Sequence, residues 1–119
     1  MAQEFGDHYL VDLHGCDAEV IASEEPTRRA LLTAAQDCGA TIIEYHFHGF
    51  SPHGVSGVIL IAESHISIHT WPESNFAAVD IFTCGENMQP DIAIRILEEA
   101  LGATRTDVAK LTRGSLEPR

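Results

Sequence analysis

Seven histidines, three cysteines and a serine that directly follows a glutamate carry most of the chemistry open to this chain. The stretch AESHISIHTWPE sets Ser64 behind Glu63 and places His65 and His69 four residues apart, while HFH places His46 and His48 two apart. Imidazole is the side chain that exchanges protons and binds metals near neutral pH. Along a strand of period two, His46 shares a face with His48 and His65 with His69, so three or four rings could converge on zinc or iron. No cysteine or carboxylate stands at a recognised ligand spacing beside them. The ordinary reading, half-exposed strand histidines bonded to neighbouring backbone, is therefore preferred for His8, His14 and His53, and no metal site is assigned.

Cys84 ends an apolar run in IFTCGEN just before a glycine, where backbone can approach a ligand and a thiol can sit at the lip of a cleft. Taken alone it reads first as a small buried hydrophobe, as do Cys16 and Cys38. No cysteine-hydrolase signature surrounds any of the three. GVSG is too short for a phosphate loop, and neither G-x-G-x-x-G nor a Walker pattern occurs. Asp80 and Glu73 stand near strand ends, with solvated charge as their default reading.

The elements that must position these groups follow from the pattern. At 119 residues there is material for one core, and 45% apolar with 21% charged residues is ordinary globular usage. A net charge of -11 opposes nucleic acid and anionic membranes and suits a small cationic ligand. There is no basic start with an apolar block and no long apolar run, and an odd number of dispersed cysteines fits reduced thiols, so a cytoplasmic location is expected.

HYLVDLHGC predicts a strand ending at Gly15, and SEEPTRRALLTAAQDCGA a helix with Leu31, Ala35 and Cys38 on one face and a stop at Gly39. TIIEYHFHGF, turned by SPHG into VSGVILIAE, predicts a hairpin. SHISIHTW alternates strictly, with Ser64, Ile66 and Ile68 in one phase and His65, Ser67 and His69 in the other. PES turns the chain into the strand NFAAVDIFTC. A second helix runs from Pro90 to Gly102, then TRTDVAKLTR forms a last strand and GSLEPR a frayed tail. The order β-α-β-β-β-β-α-β predicts an α+β, two-layer sandwich: a mainly antiparallel sheet with two helices on one face, the other face calling for a partner sheet or a polar surface, which makes a homodimer an expectation.

GVSGVILIAESHISIHTWPE followed by AAVDIFTCGE closely resembles the prokaryotic S-adenosylmethionine decarboxylase proenzymes, a pyruvoyl-dependent, self-processing family. The likeness is strongest from Phe47 to Glu86, and HYLVDLHGC, CGATI and the two helices match the same layout, so it covers nearly all of a single domain, 1–119.

The resemblance implies cleavage at Glu63-Ser64 into a β chain, 1–63, and an α chain, 64–119. The Ser64 hydroxyl lies beside the Glu63 carbonyl, so attack through a five-membered ring converts amide to ester without an outside nucleophile. Loss of the Ser64 α-proton then expels the ester as a carboxylate, and the resulting dehydroalanine hydrolyses to a pyruvoyl group and ammonia. His69 matches the family's processing base and Ser56 a residue that supports processing by hydrogen bonding. The pyruvoyl cofactor, a covalent electrophile, forms a Schiff base with the substrate amine and accepts electrons as carbon dioxide leaves. Cys84 matches the family's proton donor, a role that suits a neutral thiol. Phe50 matches an aromatic stacked on adenine, reaching in from the second subunit of a homodimer, and Glu73 a carboxylate on the ribose hydroxyls. The implied role is supply of the aminopropyl donor for spermidine biosynthesis.

Asp7 stands where the family has a basic residue, and HGFSPHG has glycine and histidine where lysine or arginine and glutamine are commoner. Both departures lie near the substrate, so pyruvoyl-dependent arginine or ornithine decarboxylase on the same scaffold is the alternative. Strict alternation holds His69 on the face opposite Ser64, which predicts a bend or break in the chain there.

Overall fold

A computed structural model describes residues 5–84 and 87–114. The glycine after Cys84, the Glu86 that ends the family-like stretch, and tail residues 115–119 lie outside the described residues. Six strands, β1 (Gly6–His14), β2 (Ile42–Gly49), β3 (Val55–Ile61), β4 (Ser64–Trp71), β5 (Phe76–Thr83) and β6 (Arg105–Arg113), form one antiparallel sheet in the order β2-β3-β4-β5-β1-β6. The helices are α1 (Ala18–Ala22), α2 (Glu24–Asp37) and α3 (Pro90–Leu101). The predicted two-layer α+β sandwich is observed, with one helix more than expected.

Local chemistry accounts for the elements. Asp17 caps α1 by accepting the Glu19 N–H at 2.9 Å, and Ser23, in extended conformation, separates α1 from α2. A five-residue helix carries too little period to be read from sequence, which is why it escaped prediction. Pro90 opens α3, and Gly102 closes it at φ 73. In β2, Phe47 lies over Gly57 of β3 so closely that a Cβ at position 57 would overlap its ring.

Alternation divides the sheet into two faces. Val11, Leu13, Ile59, Ile61, Ile66, Ile68, Val79 and Ile81 are buried beneath Ile21, Leu31, Ala34, Ala35, Ala93, Leu97 and Leu101 of the helices. Cys16 and Cys38 belong to this core, at 1% exposure each, and burial pushes both thiols up from their ordinary pKa. The opposite face bears Ser56, Val58, Leu60, His65, Ser67, His69, Trp71, Asp80 and Phe82, with Leu60, Trp71 and Leu111 exposed. No described helix covers it.

The two strand phases in SHISIHTW are as predicted, but the bend is not. β4 pairs without a register shift to β3 from Ser64 to His69 and to β5 from His65 to Trp71. The chain turns one residue earlier, at Ala62-Glu63, where Glu63 takes φ 67. VSGVILIAE therefore ends as a strand at Ile61, two residues short of the predicted run. Hydrogen bonding on both sides holds β4 straight.

Candidate active site

The sheet carries two separate clusters, one at each end of β4. At the first end the Ala62-Glu63 hairpin turn presents Ser64. Left-handed φ at a glutamate costs about 1–2 kcal/mol relative to ordinary backbone, so this peptide is held in place by the strands around it. The Ser64 hydroxyl donates to the Phe82 carbonyl of β5. Pairing of His65 with Phe82 sets Ser64 across from Thr83, and Cys84 follows one residue on. Cys84 is half-buried, unlike Cys16 and Cys38, and lines a cavity of about 110 Å³ together with Ile61, Glu63 and Met88.

At the second end Ser56 of β3 pairs with His69 of β4, and Ser56 Oγ lies 2.8 Å from His69 Nδ1. The loop that carries Phe50 enters β3 here, and the short 3-10 turn Pro72–Ser74 that carries Glu73 leaves β4 here. Phe50 is half-exposed, with its ring edge-on to His48 at 4.6 Å. Buried Thr70 fixes this end by donating to Ile21 of α1 at 2.7 Å and accepting the Val55 N–H at 2.9 Å. α1, the element missed in the sequence, is thus the brace behind the second cluster.

Five residues of straight strand separate Ser64 from His69, about 17 Å. Within one chain the structure brings Ser64 beside Cys84 and His69 to Ser56, with the segments that carry Phe50 and Glu73 at the same end of the sheet as His69, and it does not bring the two groups together.

The remaining histidines correct the sequence reading, which gave them backbone partners. His8 Nε2 lies 3.2 Å from Asp80, His14 Nε2 3.3 Å from Asp107 and His53 Nε2 3.4 Å from Glu73. Carboxylates across the strands were invisible until the register was known. Asp80 also accepts from Ser67 at 3.4 Å, and Phe82 lies between His8, on which it stacks, and His65, against which it is tilted. His46 and His48 lie on β2, two strands from His65 and His69, and among the described residues no group of three or more potential ligands forms a metal site.

Fold and clusters together define a small α+β enzyme whose chemistry-bearing groups are split between two ends of one sheet. The S-adenosylmethionine decarboxylase family model matches residues 7–114. The S-adenosylmethionine decarboxylase proenzyme of Thermodesulfovibrio yellowstonii is 45% identical over 114 residues, 96% of this chain and 84% of that protein. The proenzyme of the same name from Methanococcus maripaludis is 41% identical over 115 residues, 97% of this chain and 94% of that one. The crystal structure of the adenosylmethionine decarboxylase from Aquifex aeolicus superposes with a TM-score of 0.88 at 40% identity, covering 99% of this chain and 98% of that one. The chain belongs to the S-adenosylmethionine decarboxylase family.

Proposed function

We propose that the chain is a self-cleaving proenzyme that decarboxylates S-adenosylmethionine, and that each active site is assembled in a homodimer from the Ser64 end of one protomer and the His69 end of its partner. The observation that carries this reading is the straight strand between them: Ser64 and Cys84 at one end, Ser56 and His69 at the other, about 17 Å apart on one chain. A second copy laid face to face and antiparallel on the open face would bring its His69 end to the Ser64 end of the first, where Ser64, in the helix-side phase, is reached at the rim of the sheet because it heads β4, and would cover Val58, Leu60, Trp71 and Leu111 at the same time.

In this reading maturation starts when Ser64 Oγ attacks the Glu63 carbonyl, giving chains 1–63 and 64–119. The turn at Glu63 favours attack by holding its peptide in a conformation that the rest of the sheet imposes. The base must accept a proton at a free ring nitrogen. If His69 Nδ1–H donates to Ser56 Oγ, Nε2 is left as the acceptor that removes the Ser64 α-proton, and the Ser56 hydroxyl keeps its own proton for the oxyanion of the processing intermediate. One contact thus gives both residues their roles.

The residues present fit a pyruvoyl group at position 64, because the serine that must become it heads a strand beside a half-buried thiol and a small cavity. Once formed, that group supplies an electrophilic ketone and an electron sink that no side chain offers. The protein's own residues do the rest. Cys84 holds a proton on Sγ for the substrate α-carbon, while Phe50 of the partner stacks on adenine and Glu73 of the partner accepts from the ribose hydroxyls. The acidic surface, net -11, favours the sulfonium cation. Free Cys16 and Cys38, buried and unpaired, support a reducing, cytoplasmic setting, and no described helix is long and apolar enough to cross a membrane.

Mass spectrometry of the purified protein is expected to give two chains split between Glu63 and Ser64, and carbon dioxide is expected from S-adenosylmethionine but not from arginine or ornithine. An intact chain that never cleaves, or release from either amino acid alone, contradicts the proposal. Nothing in the comparisons favours the amino-acid alternative.

A further inference from the structure

We propose that His53 is a positioning residue for substrate binding, a clasp that ties the loop bearing Phe50 to the turn bearing Glu73. The inference rests on the reading of those two residues as the adenine and ribose contacts. His53 Nε2 lies 3.4 Å from Glu73 Oε2. A carboxylate only accepts, so the contact fixes Nε2 as the protonated nitrogen and occupies one side of Glu73.

The two segments have no other direct tie of this kind among the described side-chain contacts. The Phe50 loop closes on itself through Phe50 N–H to the Gly54 carbonyl at 2.8 Å, and is anchored to α1 through Gly54 N–H to the Ala22 carbonyl at 3.3 Å. The turn after β4 is closed by Asn75 N–H to the Pro72 carbonyl at 3.1 Å. His53 and Glu73 meet above the gap between them, on the wall of an open cavity of about 300 Å³ that Glu19 and Pro72 also line.

Adenosine is a stiff unit whose base and ribose must be met together, so the spacing of Phe50 and Glu73 has to be set before binding. A residue that fixes this spacing lowers the ordering cost of binding and leaves the chemical step alone. The clasp also keeps Glu73, 59% exposed at its side chain, from swinging freely, and it leaves Oε1 open to a hydroxyl. A glutamine side chain could also offer an N–H to a carboxylate, so His53→Gln keeps the donor.

The test is steady-state kinetics of the processed enzyme with S-adenosylmethionine, beside the rate of precursor cleavage. His53→Ala is expected to raise KM about three- to fivefold, the size of one half-exposed carboxylate contact, with kcat and cleavage changed by less than about twofold. His53→Gln is expected to restore KM. Glu73→Ala is expected to raise KM further, and the double variant His53→Ala/Glu73→Ala to match Glu73→Ala alone, because the clasp has nothing left to hold. Glu73→Ala with raised KM beside an unchanged His53→Ala overturns the clasp and leaves the substrate reading standing. Glu73→Ala without effect on KM overturns both, and a His53→Ala variant that loses cleavage and kcat together overturns the clasp in favour of a folding role.

Discussion

At the scale of single residues, different side chains are proposed to make the cofactor and to use it. Ser64→Ala removes the hydroxyl of the residue that follows the Glu63 carbonyl, so its precursor is expected to remain one chain of 119 residues by mass. Cys84→Ala is expected to cleave at close to the normal rate yet turn over substrate about 100-fold more slowly, the scale of a lost proton donor. Single-turnover and cleavage time courses on the same preparation check this, and equal loss in both would show that Cys84 also serves maturation. The sequence singled out Ser64, His69 and Cys84 as candidates because each sits within a densely patterned stretch. It could not show that Ser64 donates to the Phe82 carbonyl, or that His8, His14 and His53 face carboxylates, because those contacts depend on pairing between strands distant in sequence.

At the scale of elements, alternation and punctuation carried most of the fold. Ile66 and Ile68 are buried while His65 and His69 lie on the open face, as period two requires. Pro90 and Gly102 bound the last helix as proline and glycine do by their backbone preferences. The failures were local. α1 spans a single turn or so, and the turn at Ala62-Glu63 lacks the glycine or asparagine that normally marks a left-handed residue. That missing mark is itself informative, since a glutamate with left-handed φ stands at the proposed cleavage site. Gly57 offers a test of the sheet that supports the second cluster: Gly57→Ala must push the Phe47 ring away and is expected to cost about 1–3 kcal/mol, read from the denaturant midpoint of the uncleaved Ser64→Ala background. An unchanged midpoint would mean that β2 packs on β3 by other means.

At the scale of the whole molecule, the proposed dimer makes the two clusters half-sites. One sheet face is sealed by three helices, and the other carries Leu60, Trp71 and Leu111 exposed among the catalytic candidates. The sequence pointed to a second copy through the uncovered face, but it led to a bend in β4 because Ser64 and His69 were assumed to work within one chain. The straight strand is what places the meeting point at a dimer in the proposed function. The most direct measurement is cleavage in mixed dimers of Ser64→Ala and His69→Ala chains, refolded together and followed by mass spectrometry. Each variant alone is expected to stay intact. In the mixture the His69→Ala chain, which keeps Ser64, should be cut between residues 63 and 64 by the His69 of its partner, while the Ser64→Ala chain stays whole. A mixture in which neither chain is cut, although mixed dimers have formed, would contradict assembly of the site from two protomers.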